Sequence, residues 1–307
     1  MGLGHDHGHS PLPGDHRRVL GIAFTISVGV LLVQAVGTYL TGSLALLTDT
    51  AHVLTDATGL GVALLAAHLV LRPASSRRTW GFRRVEVVAA FVQAALLLVV
   101  GVYAVVEGLK RLSSPPEVPS TDLLIFGVVG LAGNLVAILV LTSARSANLN
   151  LRAAFLEAMN DALGSVGVIA AAIVMDTTAW RQADAVAGLL IAALIVPRAF
   201  HLLRESSRVL LEFTPAGLDL DQVRAHMLEL DHVHDVHDLH ASTVATGLPI
   251  ITAHVVVDPT CFEDGHAPQI LDTLRSCVAE HFEVSIEHST FQLETPQMAD
   301  REAHTHS

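Results

Sequence analysis

The chain has 307 residues, of which 51% are hydrophobic and only 16% charged, with a formal net charge of −12. That balance is a membrane protein's and not one that a soluble core of this size needs, and its acidity argues against a nucleic-acid partner. The charge is also uneven: residues 1–210 hold 15 Lys and Arg against 13 Asp and Glu, whereas residues 211–307 hold 3 against 17, with 11 of the 18 histidines.

Residues 1–16 read as a disordered His-rich arm, opening with His5-Asp6-His7-Gly8-His9. Alternating imidazoles in such an arm could hold a borderline metal weakly, and a merely solvated tail is the competing reading. No cleavable signal peptide is expected ahead of the first apolar stretch. Six apolar stretches follow, at Val19–Leu40, Ser43–Leu71, Val85–Val106, Leu123–Thr142, Ala153–Val174 and Ala183–Leu203. Each is long enough to cross a hydrocarbon core of about 30 Å. Twelve arginines, from Arg17 to Arg208, fall at one face of such a bundle, and only Lys110, Arg111 and Arg181 at the other. The positive-inside tendency then puts both termini in the cytosol. Residues 17–210 are accordingly expected to form a six-helix transmembrane domain.

Two stretches inside the apolar spans break the pattern. Thr48-Asp49-Thr50-Ala51-His52-Val53-Leu54-Thr55-Asp56 lies in the second span and Glu157-Ala158-Met159-Asn160-Asp161 in the fifth. Each places two metal-ligating groups four residues apart. A helix advances about 1.5 Å and 100° per residue, so the members of each pair share a face about one turn apart. Ionisable groups at bilayer depth are costly unless paired, protonated or bound to a cation. His52, Asp56, Glu157 and Asp161 are therefore expected to converge on one divalent ion, within a donor set of nitrogen and oxygen that suits zinc and disfavours copper(I). Asp49 is not counted as a ligand. Gln34 and Asn134 read as polar links between helices, with Asn134 a candidate outer donor, and the glycines of Gly127–Gly133 and Gly164–Gly167 permit close helix approach.

Past Pro215 the character changes. Helical periodicity covers Asp219–Leu230 and Pro268–Phe282, and strand patterns cover Val233–Val244, Ile250–Asp258 and Glu283–Leu293. The order α-β-β-α-β predicts a small α+β, ferredoxin-like cytosolic domain over residues 211–295, with helices on one face of an antiparallel sheet. Residues 296–307 are left as a C-terminal tail that includes His304 and His306. Cys261 and Cys277 have no CxxC spacing and are read as reduced, buried thiols. Dimerisation would help so small a domain hold its core.

The sequence resembles the cation diffusion facilitator family, six-span divalent-metal/proton antiporters, over nearly its whole length. The resemblance is carried by Gly42-Ser43-Leu44-Ala45-Leu46-Leu47-Thr48-Asp49-Thr50-Ala51-His52 with Asp56 and by Thr79-Trp80-Gly81-Phe82-Arg83-Arg84-Val85-Glu86. Asp161-Ala162-Leu163-Gly164-Ser165-Val166-Gly167 and Val236-His237-Asp238-Leu239-His240 complete it. It implies a homodimer, cytosolic termini, proton-coupled efflux and a cytosolic metal-binding domain whose ligand positions are matched by His237, His254, His266 and His288. His52, Asp56 and Asp161 match the family's zinc pattern, while Glu157 stands where zinc members often carry His. That departure adds negative charge and hardness and widens the expected cargo from zinc toward cadmium, cobalt, iron(II) or manganese.

Three ionised carboxylates total −3, or −1 with a divalent ion bound, so metal and protons are expected to exchange at the site. The expected partners are metal ions, protons, the lipid bilayer and a second copy of the chain, with no prosthetic group. The near-replacement of Lys by Arg points to a GC-rich genome, and the absence of targeting signals suits a bacterial plasma membrane. Competing readings are an intramembrane zinc hydrolase, disfavoured by the absence of HExxH, and a passive metal channel or sensor.

Overall fold

Long apolar runs make long helices, and among the described residues six dominate the first two-thirds of the chain. They are α1 (Gly14–Thr41), α2 (Leu44–Leu69), α3 (Arg83–Ser113), α4 (Ser120–Thr142), α5 (Leu149–Thr178) and α6 (Gln182–Leu210). The computed structural model describes residues 14–69, 75–142 and 149–301. The histidines of the opening arm up to residue 13, His304 and His306 lie outside the described residues. The chain divides into two compact units, the first running to Arg204 and the second from Glu205 onward with Arg83–Val87.

Among the described residues, five of these helices are long and apolar enough to cross a membrane, over Arg18–Thr41, Arg83–Ser113, Ser120–Thr142, Ala154–Thr178 and Gln182–Leu210. The expected sixth, α2, has 26 residues, about 39 Å of helix, so its length suffices. Thr48, Asp49, Thr50, His52, Thr55, Asp56 and Thr58 set its composition apart from that of the other five. Most of those polar groups face inward: Thr48, Asp49, His52 and Asp56 are buried, as are the flanking Leu44, Leu46 and Val53. The outward faces of the other helices are apolar, with Leu139 72% and Leu194 79% exposed, as a lipid-facing surface requires.

In the first unit α1 packs on α2 and α4, α4 on α5, and α2 on α5. The start of α2 is held by a residue far away in sequence. Asp184 of α6, 2% exposed, accepts from the backbone N–H of Leu44 at 2.7 Å and Ala45 at 3.2 Å and from the Ser43 hydroxyl. Two orphan donors of the first turn are thereby satisfied by a buried carboxylate, and Arg111 stands 3.8 Å from it.

The second unit follows the expected α-β-β-α-β order: α7 (Leu220–Leu228), β1 (Val233–Ala245), β2 (Leu248–Val257), α8 (Ala267–Glu280) and β3 (His288–Glu294). Asp219 caps α7 by accepting from the N–H of Asp221 and Gln222. Val223 and Met227 of α7 and Ile270, Leu274 and Val278 of α8 pack with Val236, Ile251, Val255 and Val257 of the sheet in one core. The strands lie in the order β1-β2-β3. One expectation is corrected: β1 and β2 are antiparallel, but β2 and β3 are parallel, so the sheet is mixed. The cause is α8, a crossover helix that returns the chain to the same end of the sheet before β3 begins. Cys261 and Cys277 are free and buried, as expected.

Candidate metal centre

In the first unit the i,i+4 spacing on α2 does what helix geometry requires. His52 and Asp56 stand on one face, with His52 Nε2 3.8 Å from Asp56 Oδ2. α5 brings Asp161 to the same place, its Oδ1 3.9 Å from His52 Nε2. One donor atom from each of the three lies within 4.8 Å of the others. The residues are 8%, 7% and 4% exposed.

The decisive feature is what these atoms lack. Asp56 Oδ2, Asp161 Oδ1 and His52 Nδ1 are buried with no hydrogen-bond partner. Native interiors satisfy nearly all buried polar atoms, and orphans cost on the order of 1–3 kcal/mol each, more when charged. Two carboxylate oxygens with nothing donating to them, set about the other ring nitrogen, His52 Nε2, form a donor set that a small divalent cation fits.

Glu157, one turn before Asp161 on α5, is not among these three. Its Oε1 lies 3.5 Å from Arg198 Nη2 of α6, and both side chains are partly exposed. Residue spacing does not reveal this pair, because the rotation of α6 against α5 is not encoded in either helix's own period. A cavity of about 480 Å³ between α5 and α6 reaches the site, bordered by Asp49, His52, Asn160 and Arg198 and walled mostly by apolar residues such as Leu190 and Leu194.

Behind the cluster lies a second polar layer. Gln34 Nε2 of α1 donates to Asp49 Oδ2 at 2.6 Å, and the Ser165 hydroxyl of α5 reaches the same oxygen at 3.4 Å. Asn134 of α4 donates to Ser165 of α5 at 3.4 Å, a polar link between helices of the kind expected of it. Small residues make this convergence possible. A Cβ at Gly164 would collide with Asp49 Oδ1, and one at Gly130 would stand 2.9 Å from Gln34 Nε2.

In the second unit His237 and His254 are directly paired across β1 and β2, their rings T-shaped at 5.3 Å. The third member of their group is Glu294 of β3, which sequence reasoning missed. It is fully buried, accepting from Gln292 Nε2 at 2.6 Å, with His254 Nδ1 at 2.9 Å and His237 Nε2 at 3.5 Å. The available signal was strand alternation, since Gln292 and Glu294 share one face of β3. His266 and His288 are not brought to this group within the protomer. His266 sits at the start of α8 with its Nδ1 2.8 Å from Asp264, and its ring stacks on His232 at 5.7 Å. Hydrogen bonding from His266 holds the Asp264 carboxyl below the usual range, and bonds from His234 and His232 do the same for Asp258. His288 is exposed and pairs with Ile250, four register positions from the His254–Gln292 pair, about 13 Å along the strand.

Long apolar helices around an interior cluster of ionisable side chains define a multi-pass membrane protein of the transporter class. Residues 20–211 match the family model described as the cation efflux transmembrane domain, and residues 215–296 match that of the cation efflux protein cytoplasmic domain. The chain belongs to the cation efflux family, as its resemblance to the diffusion facilitators implied, and it is a transporter and not an enzyme. It is 38% identical to the cation efflux system protein CzcD of Alcaligenes sp. (strain CT14), over 99% of this chain and 94% of that one. It is also 38% identical to the zinc transporter ZitB of Escherichia coli (strain K12), over 96% and 93% of the two chains. A cadmium, cobalt and zinc/H(+)-K(+) antiporter of Bacillus velezensis is 36% identical over 95% of this chain and 92% of its own.

Proposed function

We propose that the protein exports divalent metal from the cytosol, zinc foremost, by exchanging it for protons at His52, Asp56 and Asp161. The observation that carries this reading is the set of unpartnered, buried donor atoms on α2 and α5. The names of the relatives support the cargo, being those of zinc, cadmium and cobalt transporters, and one of them names proton exchange.

Charge balance supplies the mechanism. With Glu157 paired to Arg198, a neutral His52 and two carboxylates leave −2 at the centre, which one divalent ion cancels. Protons arriving from the far side neutralise the same oxygens and release the metal. Glu157 serves as the fourth ligand in the state in which Arg198 lets it go, so the two states of the bundle differ in ligand number. A carboxylate at this position keeps cobalt, iron(II) and manganese within reach alongside zinc and cadmium.

The same reading takes α2 as a sixth span, sheltered from lipid by its neighbours, and gives a six-span domain over residues 17–210 with both termini cytosolic in a bacterial plasma membrane. Residues 211–295 form the ferredoxin-like domain that pairs two copies of the chain. There His237, His254 and Glu294 bind regulatory metal, with His266 and His288 added across the dimer. A second reading, a passive metal channel, differs in one measurable respect. Proteoliposomes with an imposed pH gradient and a panel of metals are expected to accumulate zinc uphill, faster as the gradient steepens. Flux that ignores the gradient sinks the exchange mechanism, and Glu157→His is expected to narrow the panel toward zinc.

A further inference from the structure

A third group of ligating side chains lies on the helical layer of the second unit, apart from both clusters above. His226 is in the last turn of α7, Cys277 in the last turn of α8, and His281 is the residue that ends α8. Cys277 and His281 are four residues apart, so they share one face, and the His281 N–H closes on the Cys277 carbonyl at 3.1 Å. Across the gap, His226 Nε2 approaches His281 Nδ1 to 2.9 Å. One donor atom from each of the three lies within 4.8 Å of the others.

We propose that His226, Cys277 and His281 form a separate thiolate-bearing site for zinc or cadmium that clamps α7 to α8. In a tetrahedral zinc site, bonds near 2.0–2.1 Å to nitrogen and 2.3 Å to sulfur put donor atoms about 3.3–3.7 Å apart. The two nitrogens must part by only a few tenths of an ångström, and the sulfur must close by about 1 Å at most. Burial is graded as metal entry needs: Cys277 is 1% exposed beneath, His226 is intermediate, and His281 is open to solvent.

The ring of His226 is oriented for this task. Its outer nitrogen, Nδ1, faces the Glu229 carboxylate at 3.6 Å, and its edge meets Phe282 with ring centres 5.8 Å apart. A carboxylate behind Nδ1 favours the proton there and leaves the Nε2 lone pair directed at the site. Metal binding breaks the His226–His281 contact, moves the His281 proton from Nδ1 to the solvent-facing Nε2, forms two metal–nitrogen bonds and one metal–sulfur bond, and releases the thiol proton to solvent. The donor set is softer than His-Asp-Asp, so this site selects zinc and cadmium where the intramembrane centre admits harder ions.

The sulfur makes the test independent of transport: neither cluster above contains one, and the thiol of a further group, His232, Asp258 and Cys261, is removed by Cys261→Ser. In the full-length Cys261→Ser protein in detergent micelles, Cys277 is the sole thiol. Titration with cadmium is expected to raise a saturable thiolate-to-cadmium charge-transfer band in the ultraviolet at one ion per chain. That band should vanish in Cys261→Ser/Cys277→Ser. His226→Ala and His281→Ala change surface positions, so a thermal melt like the parent's is expected to confirm their fold. Each should weaken cadmium binding by about tenfold or more, and Glu229→Gln by about tenfold. No band in a normally melting Cys261→Ser protein, or a band of unchanged affinity when both histidines are removed, overturns the assignment.

Discussion

In the first unit, the inward oxygens of Asp56 and Asp161 stand 3.8 and 3.9 Å from the His52 ring and accept from nothing. In the second, the buried Glu294 is already held at 2.6 Å by Gln292 and at 2.9 Å by His254. The first cluster stores an unmet demand for positive charge, and an arriving ion meets it without breaking protein contacts. The second is half satisfied: Glu294 Oε1 accepts from Gln292 and faces His254, contacts that metal must displace, while Oε2, 3.5 Å from His237, has no hydrogen bond. Affinity is therefore expected to be intrinsic in the helical cluster and conditional in the strand cluster, which suits cargo in one place and sensing in the other.

The largest effect tests the unmet demand itself. Asp161→Ala removes one of two carboxylates from a buried site, and a loss of about 3 kcal/mol, roughly 100-fold in metal affinity, is expected in equilibrium binding to the micelle-bound protein. A smaller effect tests how the demand is kept in place. Gly164→Ala drives a methyl group into Asp49, which Gln34 and Ser165 hold, and overpacking there should destabilise the helical unit by about 1–3 kcal/mol in a chemical-denaturant or thermal scan. An unchanged midpoint would mean that the second polar layer is slack. The smallest effect on transport is expected from Glu294→Gln, which keeps the Gln292 and His254 neighbours but removes the charge. It should weaken metal binding to the second unit about 10–100-fold, read by competition with a zinc dye, while export at saturating metal falls far less than in Asp161→Ala.

What was legible in the chain follows the reach of each rule. The i,i+4 spacing fixes His52 beside Asp56 because both ride one helix, and the cost of ions in lipid predicts that α5 answers it. Neither rule sees across helices, so neither the pairing of Glu157 with Arg198 of α6 nor the capping of α2 by Asp184, 140 residues from Leu44, is written in the spacing. In the second unit, periodicity placed α7, α8, β1 and β2 to within two residues. By contrast, β3 begins five residues past its expected start, and the short helices Pro259–Phe262 and Pro296–Ala299 carried no periodic signal. Pairing direction, too, is not a property of a strand. The segment between Val257 and His288, which contains α8, is long enough for a crossover, and that length was the signal for the parallel pair. Glu294 escaped because a single acid on a strand's polar face is indistinguishable from a solvated one until its neighbours are known.

The central claim is most directly tested by anomalous diffraction at the zinc absorption edge from crystals of the full-length protein soaked in zinc. The account predicts a peak in the helical unit at coordination distance, about 2.0–2.2 Å, from His52, Asp56 and Asp161 together. A zinc-loaded, transport-competent protein with no peak among those three residues would contradict it.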